Sequence, residues 1–551
     1  MPVAMGATVV GLLALIVCFS KGYLLLYGDA VAHLGIARRI FDSRNPGLAQ
    51  LGGVWLPLPH LLMLPLVRSM ELWQSGLAGA WPSFACYILG VVAFYRLARR
   101  MVPSRWAAAA TAFYGLNPNL LYLSTTAMTE PVFLALLLWT TLLTVECCAA
   151  IRADQQKKVA RRLIGLGLLI FAAVFTRYDG WILGAAVWCL VTWQLWRARS
   201  LWRKLVPAFA IFTTLAVAGP LLWLWYNQHF MHDPLDFMRG PYSATAIEKK
   251  TSPPGSRHYR GWHNPAWALL FYTRTAQVDA AVWETGFLWM AGALAGTWIA
   301  MRRGLERAAL LLWMPLPFYV YSIGYGSIPI FIPQLWPHSY YNSRYGIELL
   351  PALALFAFLA AASLERRLTA RSEPVAMPRL AQMLYPAMLL LAIVNALAMG
   401  YGVTAVQAVA RVLKRPYADQ IGTRYDPPSV LKEALVNSST RIPFERNLAL
   451  VLEEMPKGAP ILMDTSAYIG ALQDAGIPLK QTVNDGEYYS WRDALADPAA
   501  HAGFVVAFAG DAVSKAVEEH PDGLEEVTIL CTTGQPCARV YRSLRFVAST
   551  P

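Results

Sequence analysis

A chain of 551 residues that is 56% hydrophobic and only 15% charged is not an ordinary soluble domain, where about a quarter of the residues carry charge. Its formal net charge of +13 does not mark a nucleic-acid binder, because the basic residues fall in short clusters between apolar stretches, as membrane topology requires. The 20 tryptophans and 25 tyrosines suit the aromatic belts of a bilayer interface.

The first apolar stretch lacks a basic start and a small-x-small cleavage site, so it reads as an uncleaved span rather than a signal peptide. A membrane helix needs about 20 mainly apolar residues, and by that length the chain offers about eleven. They lie near 5–26, 81–98, 106–124, 130–150, 163–176, 181–196, 205–226, 283–301, 306–325, 347–363 and 381–403. Residues 54–72 are interrupted by Pro57, Pro59, His60 and Pro65 and read as a helix lying in the interface. The apolar run 163–175 covers only about 20 Å at 1.5 Å per residue, against a hydrocarbon core of about 30 Å. The polar group Thr176-Arg177-Tyr178-Asp179-Gly180 is therefore expected below the outer surface, lining a cavity.

Basic clusters set the orientation. Arg96, Arg99, Arg100 and Arg105 form one, and others follow around Arg152 to Arg162, Arg197 to Lys204, Arg302 to Arg307 and Arg366 to Arg379. They fall on every second connection, which puts them all in the cytoplasm with the N-terminus inside and the C-terminal region outside. The remaining connections, 27–80, 124–131, 176–181, 227–282 and 326–346, then share the external face, away from ATP and nucleotide sugars. A bacterial inner membrane fits this arrangement. The expected fold class is a polytopic α-helical membrane protein with a C-terminal soluble α/β domain: 1–403 in the membrane, 404–426 a linker and 427–551 the extracytoplasmic domain. In the last, five short strands with intervening helices are expected between 459 and 541. Cys531 and Cys537 sit where the last two strands turn back, and an oxidising compartment would join them as a disulfide. The other five cysteines lie in apolar segments as packing residues. No glycine-rich phosphate loop supports nucleotide binding.

The external junctions carry the candidate chemistry. In Tyr27-Gly28-Asp29-Ala30-Val31-Ala32-His33, an ionisable pair stands at the mouth of a hydrophobic helix, where it is costly unless a function needs it. On a helix Asp29 and His33 share one face. Asp29 reads either as a general base or metal ligand, or as the cap of an interfacial helix; His33 reads as its orienting partner, a phosphate ligand, or a surface histidine. Glu130, before Pro131, either opens a helix in accord with its dipole or is a second acid facing Asp29. Together the two acids could hold a divalent cation. Arg177 pairs with Asp179 or reaches a ligand phosphate, with Asp179 supporting it. Arg344, in Tyr340-Tyr341-Asn342-Ser343-Arg344-Tyr345-Gly346, breaks the positive-inside trend and calls for an anion, with Tyr345 as an aromatic neighbour. The connection 227–282 carries Tyr242, Arg257 and His258 and reads as a lid over substrate or as a plain linker.

An acid after the first span, a Met-Thr-Glu-Pro segment opening the fourth, a Thr-Arg junction after the fifth and Tyr-Asn-x-Arg-Tyr near the tenth resemble the GT-C superfamily. More narrowly, the chain is similar to bacterial relatives of the dolichyl-phosphate-mannose protein mannosyltransferases and aminoarabinose transferases, over roughly the first 400 residues. The resemblance implies transfer of a sugar from a polyprenyl-phosphate carrier to an acceptor lipid, glycan or protein on the external face, usually with inversion. It gives Asp29 the base or site-organising role. Two features depart from the mannosyltransferases: Asp29 is followed by Ala30 rather than Glu, and the α/β domain has no obvious counterpart. The physics of the donor agrees, since a lipid phosphate leaves readily when arginines neutralise its oxygens. Two carboxylates acting as acid and base, as in glycoside hydrolysis, are not needed. A secondary transporter or lipid flippase would instead predict inverted repeats and charges at the bilayer midplane; the sequence shows no convincing repeat, and its charges collect near one face. A receptor or scaffold would leave the junction charges unexplained.

Overall fold

The computed structural model describes residues 1–252, 255–304, 306–371, 377–401 and 429–546. The linker expected at 404–426 lies outside them. Helix α1 (Pro2–Ser20) is followed by α2 (Gly28–Arg39), with Asp29 in its first turn. Where one interfacial helix was expected over 54–72, two short ones form, α3 (Leu58–Met63) and α4 (Met70–Gln74). Pro65 has no N–H to continue the first, and Ser69 restarts the second by accepting from the Leu72 N–H. Helices α5 (Leu77–Met101), α6 (Ser104–Gly115) and α7 (Pro118–Leu123) come next. The stretch 106–124 is thus broken. The Asn117 side chain accepts from the Asn119 and Leu120 N–H groups, and Pro118 takes the first helical position.

The chain continues through α8 (Glu130–Arg152), α9 (Gln156–Val174), α10 (Asp179–Arg197) and α11 (Arg199–Met231). The apolar part of α9 is short, but the helix is not. It runs back through Lys157, Lys158, Arg161 and Arg162 to 19 residues, about 28 Å, and such basic side chains can reach toward polar headgroups. The long connection after α11 holds α12 (Asp236–Arg239), α13 (Ala244–Thr251) and α14 (Pro265–Ala280). Then come α15 (Trp283–Arg303), α16 (Pro315–Tyr325) behind the 3-10 turn Arg307–Trp313, α17 (Leu350–Arg371) behind the 3-10 turn Ser343–Leu349, and α18 (Met377–Tyr401). Each apolar stretch read as a span contains helix, although the first helix stops at Ser20 and the stretch 106–124 is interrupted. Seven helical stretches among the described residues are long and apolar enough to cross a membrane.

The C-terminal part begins with α19 (Val430–Ser438) and α20 (Arg441–Glu453). Strands β1 (Ile461–Met463), β2 (Thr482–Val483), β3 (Phe504–Phe508), β4 (Leu524–Leu530) and β5 (Ala538–Ser543) follow. Between them lie α21 (Ile469–Asp474), α22 (Tyr488–Ala496), α23 (Pro498–His501) and α24 (Ala512–Glu519). The five strands form one mixed sheet in the order β2-β1-β3-β5-β4, with β5 antiparallel to both of its neighbours. The unbroken apolar run Val505-Val506-Ala507 fits a strand buried on both faces, and all three are buried. At the sheet edge β4 exposes Glu525 and Glu526. A Cys531–Cys537 disulfide closes the β4–β5 connection.

Two compact units emerge. The first comprises Met1–Ile16, Ser83–Ser124 and Thr129–Glu433; the second comprises Val17–Pro82, Thr125–Met128 and Ala434–Pro551. In the first, α9 packs on α8 and α11, and α15 packs on α17. Between α9 and α10 the chain reverses within four residues, and a Cβ on Gly180 would lie 2.3 Å from the Ala173 carbonyl oxygen. Only glycine fits that bend. In the second unit, segments 400 residues apart meet: Gln473 donates to the Trp73 carbonyl at 2.5 Å. The Leu479 N–H donates to Asp42 at 3.3 Å and the Arg44 N–H to Glu487 at 2.6 Å. A Cβ on Gly35 of α2 would strike Ile469 of α21 at 2.3 Å.

Gly180→Ala is expected to cost about 1–3 kcal/mol through forced backbone movement, read as a lower melting temperature in detergent. Gly6→Ala, with nothing within 4 Å of the new Cβ, should leave it unchanged or slightly higher. Equal melting of the two variants would disprove the tight bend.

Candidate active site

The first unit gathers four of the residues singled out in the sequence. Glu130 opens α8 with Pro131 behind it, where an acid suits the helix dipole and proline loses no needed donor. Arg177 occupies the α9–α10 bend and Asp179 opens α10. Arg344 lies in the 3-10 turn before α17. The Arg177 guanidinium lies 3.3 Å from Glu130, 3.3 Å from Asp179 and 3.2 Å from Glu348. It also donates to the Thr129 hydroxyl at 2.7 Å and to the Tyr319 hydroxyl at 2.6 Å, and Tyr319 in turn donates to Glu348 at 2.8 Å. Arg344 reaches the same Glu130 Oε1 at 3.2 Å, and its Nη1 stands 3.8 Å from Glu433. One carboxylate oxygen thus bridges both arginines. Tyr345 lies beside both, its ring centroid 5.0 Å from the Arg177 guanidinium carbon and 4.7 Å from that of Arg344.

Most of this charge is shielded from water: Glu130 and Glu348 are fully buried and Arg344 is 5% exposed, while the Arg177 side chain keeps 14% of its surface. Burying a charge is tolerable only where partners and hydrogen bonds compensate it, which accounts for the density of contacts. The cluster continues outward through Glu433, which accepts from the Ser343 N–H at 2.8 Å and from the Ser343 hydroxyl. Burial pushes the Glu433 carboxyl up, against Arg344 and the Ser343 donors, which pull it down. Asp279, at the end of α14, is buried, and a Cβ on Gly346 would lie 2.7 Å from its Oδ2. Burial, and then Glu433, hold its carboxyl well above the ordinary range, so it retains a proton that an exposed aspartate would lose. Neither Asp279 Oδ2 nor Glu130 Oε2 has a hydrogen-bond partner among the described residues. A buried oxygen without a partner carries an uncompensated desolvation cost.

Asp29 and His33 belong to the second unit. Tyr27, not Asp29, is the N-cap of α2, and it makes no side-chain cap; Asp29 is the second helical residue and half-buried. The N-cap position considered for Asp29 is thus taken by Tyr27. One turn on, His33 is buried and its Nδ1 lies 2.8 Å from Nε2 of the fully buried His60. Its ring centroid is 4.3 Å from that of Trp55, so it is a packed histidine, not a surface one. On the long connection, Arg257 is exposed and Tyr242 is 48% exposed. There His258 pairs with Glu248 at 2.6 Å and stacks on Trp262. Among the described residues, no group of three or more His, Cys, Asp or Glu side chains is arranged to hold a metal ion.

Glu348, Tyr319, Glu433 and Asp279 were not foreseen. Glu348 had a signal, an acid inside an apolar run and four residues after Arg344, the spacing of one helical face. The other three had none.

Residues 67–225 match the model of the dolichyl-phosphate-mannose-protein mannosyltransferase family. That segment carries Glu130, Arg177 and Asp179. No curated protein sequence matches the chain significantly. Among solved structures, the chain is similar to ArnT from Cupriavidus metallidurans bound to undecaprenyl phosphate. There the TM-score is 0.52 at 14% identity, covering 99% of this chain and 98% of that one. It also matches the archaeal oligosaccharyltransferase AglB from Archaeoglobus fulgidus with a TM-score of 0.44 at 10% identity, covering 90% of this chain and 69% of that one. The likeness to ArnT extends over nearly the whole chain, which therefore has an ArnT-like fold.

Arg177→Ala leaves Glu130, Asp179 and Glu348 without their shared cation and is expected to cost about 3–5 kcal/mol. Arg257→Ala, on the exposed connection, should stay within about 0.5 kcal/mol. Thermal unfolding of the two purified variants checks this; a wild-type melting temperature for Arg177→Ala would contradict the buried network.

Proposed function

We propose that the protein transfers a sugar from a polyprenyl-phosphate carrier to an acceptor hydroxyl on the extracytoplasmic face of a bacterial inner membrane. The observation that carries this reading is the buried cluster itself. Two guanidinium groups share Glu130 at helix junctions, and two of the three residues fall inside the segment matched by the mannosyltransferase family. The ArnT-like fold supports it, since that relative was solved with undecaprenyl phosphate. The basic clusters support an N-terminus in the cytoplasm and a C-terminal domain, 427–551, outside, with 1–403 as the catalytic membrane domain.

The acceptor is a lipid, glycan or protein hydroxyl, whose oxygen attacks the anomeric carbon as the bond from that carbon to the carrier phosphate breaks. Its electron pair leaves on the phosphate oxygen, and the configuration inverts. Asp29 takes the hydroxyl proton. Arg177 and Arg344 stabilise the charge that develops on the departing phosphate; guanidinium forks suit that geometry. The phosphate enters by exchange against a carboxylate, and Glu433 is the natural one to yield because its 3.8 Å contact with Arg344 is the longest. Glu130, with one oxygen unpartnered, accepts from a hydroxyl of the sugar or acceptor.

Purified Asp29→Asn supplied with a radiolabelled polyprenyl-phosphate sugar should turn over about 10²- to 10⁴-fold more slowly than the parent, the usual loss on removing a general base. Transfer at the parent rate would remove Asp29 from this role.

A further inference from the structure

The start of α2 lacks the device that usually fixes a helix start. The first turn of a helix has orphan N–H groups, normally met by a Ser, Thr, Asp or Asn cap, yet Tyr27 offers no cap here. Nor do the carbonyls just ahead of it enter a strand ladder, although Leu24, Leu26 and Tyr27 are buried. A buried carbonyl left without a donor costs roughly 1–3 kcal/mol. The donor comes from Arg441, at the first position of α20. One terminal nitrogen, Nη2, donates to the Leu25 carbonyl at 2.8 Å and to the Leu26 carbonyl at 3.0 Å. The other, Nη1, is held by Glu445 at 2.5 Å, one helical turn on. The Arg441 and Glu445 side chains are 13% and 8% exposed, and Arg441 Nε lies 3.9 Å from where a Cβ on Gly28 would stand. Glu445 is itself boxed in by Gly470, whose Cβ would fall 2.5 Å from its carboxylate. The guanidinium is planar and its donors are fixed in a fork, so two neighbouring carbonyls on one nitrogen set both the height and the tilt of the chain that enters α2.

We propose that Arg441 is a positioning residue for Asp29. Through Arg441 and its Glu445 support, the C-terminal α/β region holds the first turn of the Asp29 helix at the geometry that proton transfer requires. This rests on Asp29 being the base, and it gives the C-terminal region a part in the chemical step rather than only in acceptor capture. Arg441 touches no reacting atom. Its effect passes through the Leu25-Leu26 backbone to a carboxylate three residues further along.

The test uses the full chain reconstituted in lipid vesicles, with the radiolabelled polyprenyl-phosphate sugar as donor. Arg441→Ala is expected to lower kcat by about 10²-fold, the scale of an ångström-size misplacement, with KM for the donor held within about twofold. Arg441→Lys should restore part of the rate, because an ammonium can reach one carbonyl but lacks the fork. Amide hydrogen exchange should quicken at residues 28–31 in Arg441→Ala and stay unchanged in β3. Most directly, Arg441→Ala should cost nothing further in an Asp29→Asn background, since a brace has no work once the base is gone. A full additional loss in that background overturns the proposal, as does unchanged exchange at 28–31. If Arg441→Ala does not fold, Arg441→Lys decides by the same two readouts. Should Asp29→Asn transfer sugar at the parent rate, the base assignment fails, and the exchange data still report whether Arg441 fixes the turn.

Discussion

Arg177 and Arg344 are two permanent cations removed from water, and the surrounding architecture is arranged to make that bearable. A guanidinium cannot shed its proton as a buried lysine can, so its only recourse is a shell of acceptors. Glu130 supplies one oxygen to both, which ties the start of α8 to the α9–α10 bend and to the turn before α17. Thr129, Asp179, Tyr319 and Glu348 take up further donor directions of Arg177. The glycine at 180 follows from the same demand, because the bend that presents Arg177 brings α10 against the Ala173 carbonyl. Three helix junctions separated widely in sequence are thereby fixed by one ionic knot.

The second unit solves a different problem. Here the residue of interest, Asp29, sits on a helix of only 12 residues, below the length at which helices hold themselves together in water. It is stabilised from outside: Gly35 accepts the close approach of Ile469, and Asp42 receives the Leu479 N–H. Arg441 takes the carbonyls ahead of the first turn. The α/β region and residues 17–82 fall in one compact unit, in which a disulfide closes the β4–β5 connection and β3 is buried.

Much of this was legible in the residues. Helix positions followed from apolar length, since a bilayer leaves the backbone no alternative to internal hydrogen bonding. Glu130-Pro131 and the Thr176-to-Gly180 group announced themselves as charges at junctions where hydrocarbon does not tolerate them. The strands read from short β-branched runs. What stayed hidden was tertiary. Tyr319 in an apolar run looks like any packing tyrosine until Arg177 is found against its hydroxyl. Glu433 lies 90 residues from the Ser343 it binds, and nothing local distinguishes it from a surface glutamate. The single helix expected over 54–72 failed because apolar content was weighed above the three prolines. The apolar run 163–175 is one part of a helix that begins earlier, among basic residues. Of the alternatives for His33, the surface one fails, because His60, 27 residues away, and Trp55 both pack against its ring.

Charge counting inside the cluster sharpens what a bound carrier would face. Arg177 and Arg344 contribute two positive charges, while Glu130, Asp179, Glu348 and Glu433, all within ion-pair distance of them, could contribute four negative ones. Under the proposed reading this is an advantage. An arriving phosphate needs cations whose present partners can be neutralised, and Glu433 meets that need, since burial already favours its protonated form. A phosphate on Arg344 would replace only the long Glu433 contact, and the Ser343 hydrogen bonds to Glu433 would still hold the turn that carries Arg344. Without the phosphate, Glu433 would again serve as the partner of the arginine. The carboxylates then act as stand-ins for the ligand: they keep both guanidinium groups aimed and desolvated between turnovers, so little reorganisation is required when charge develops on the leaving oxygen.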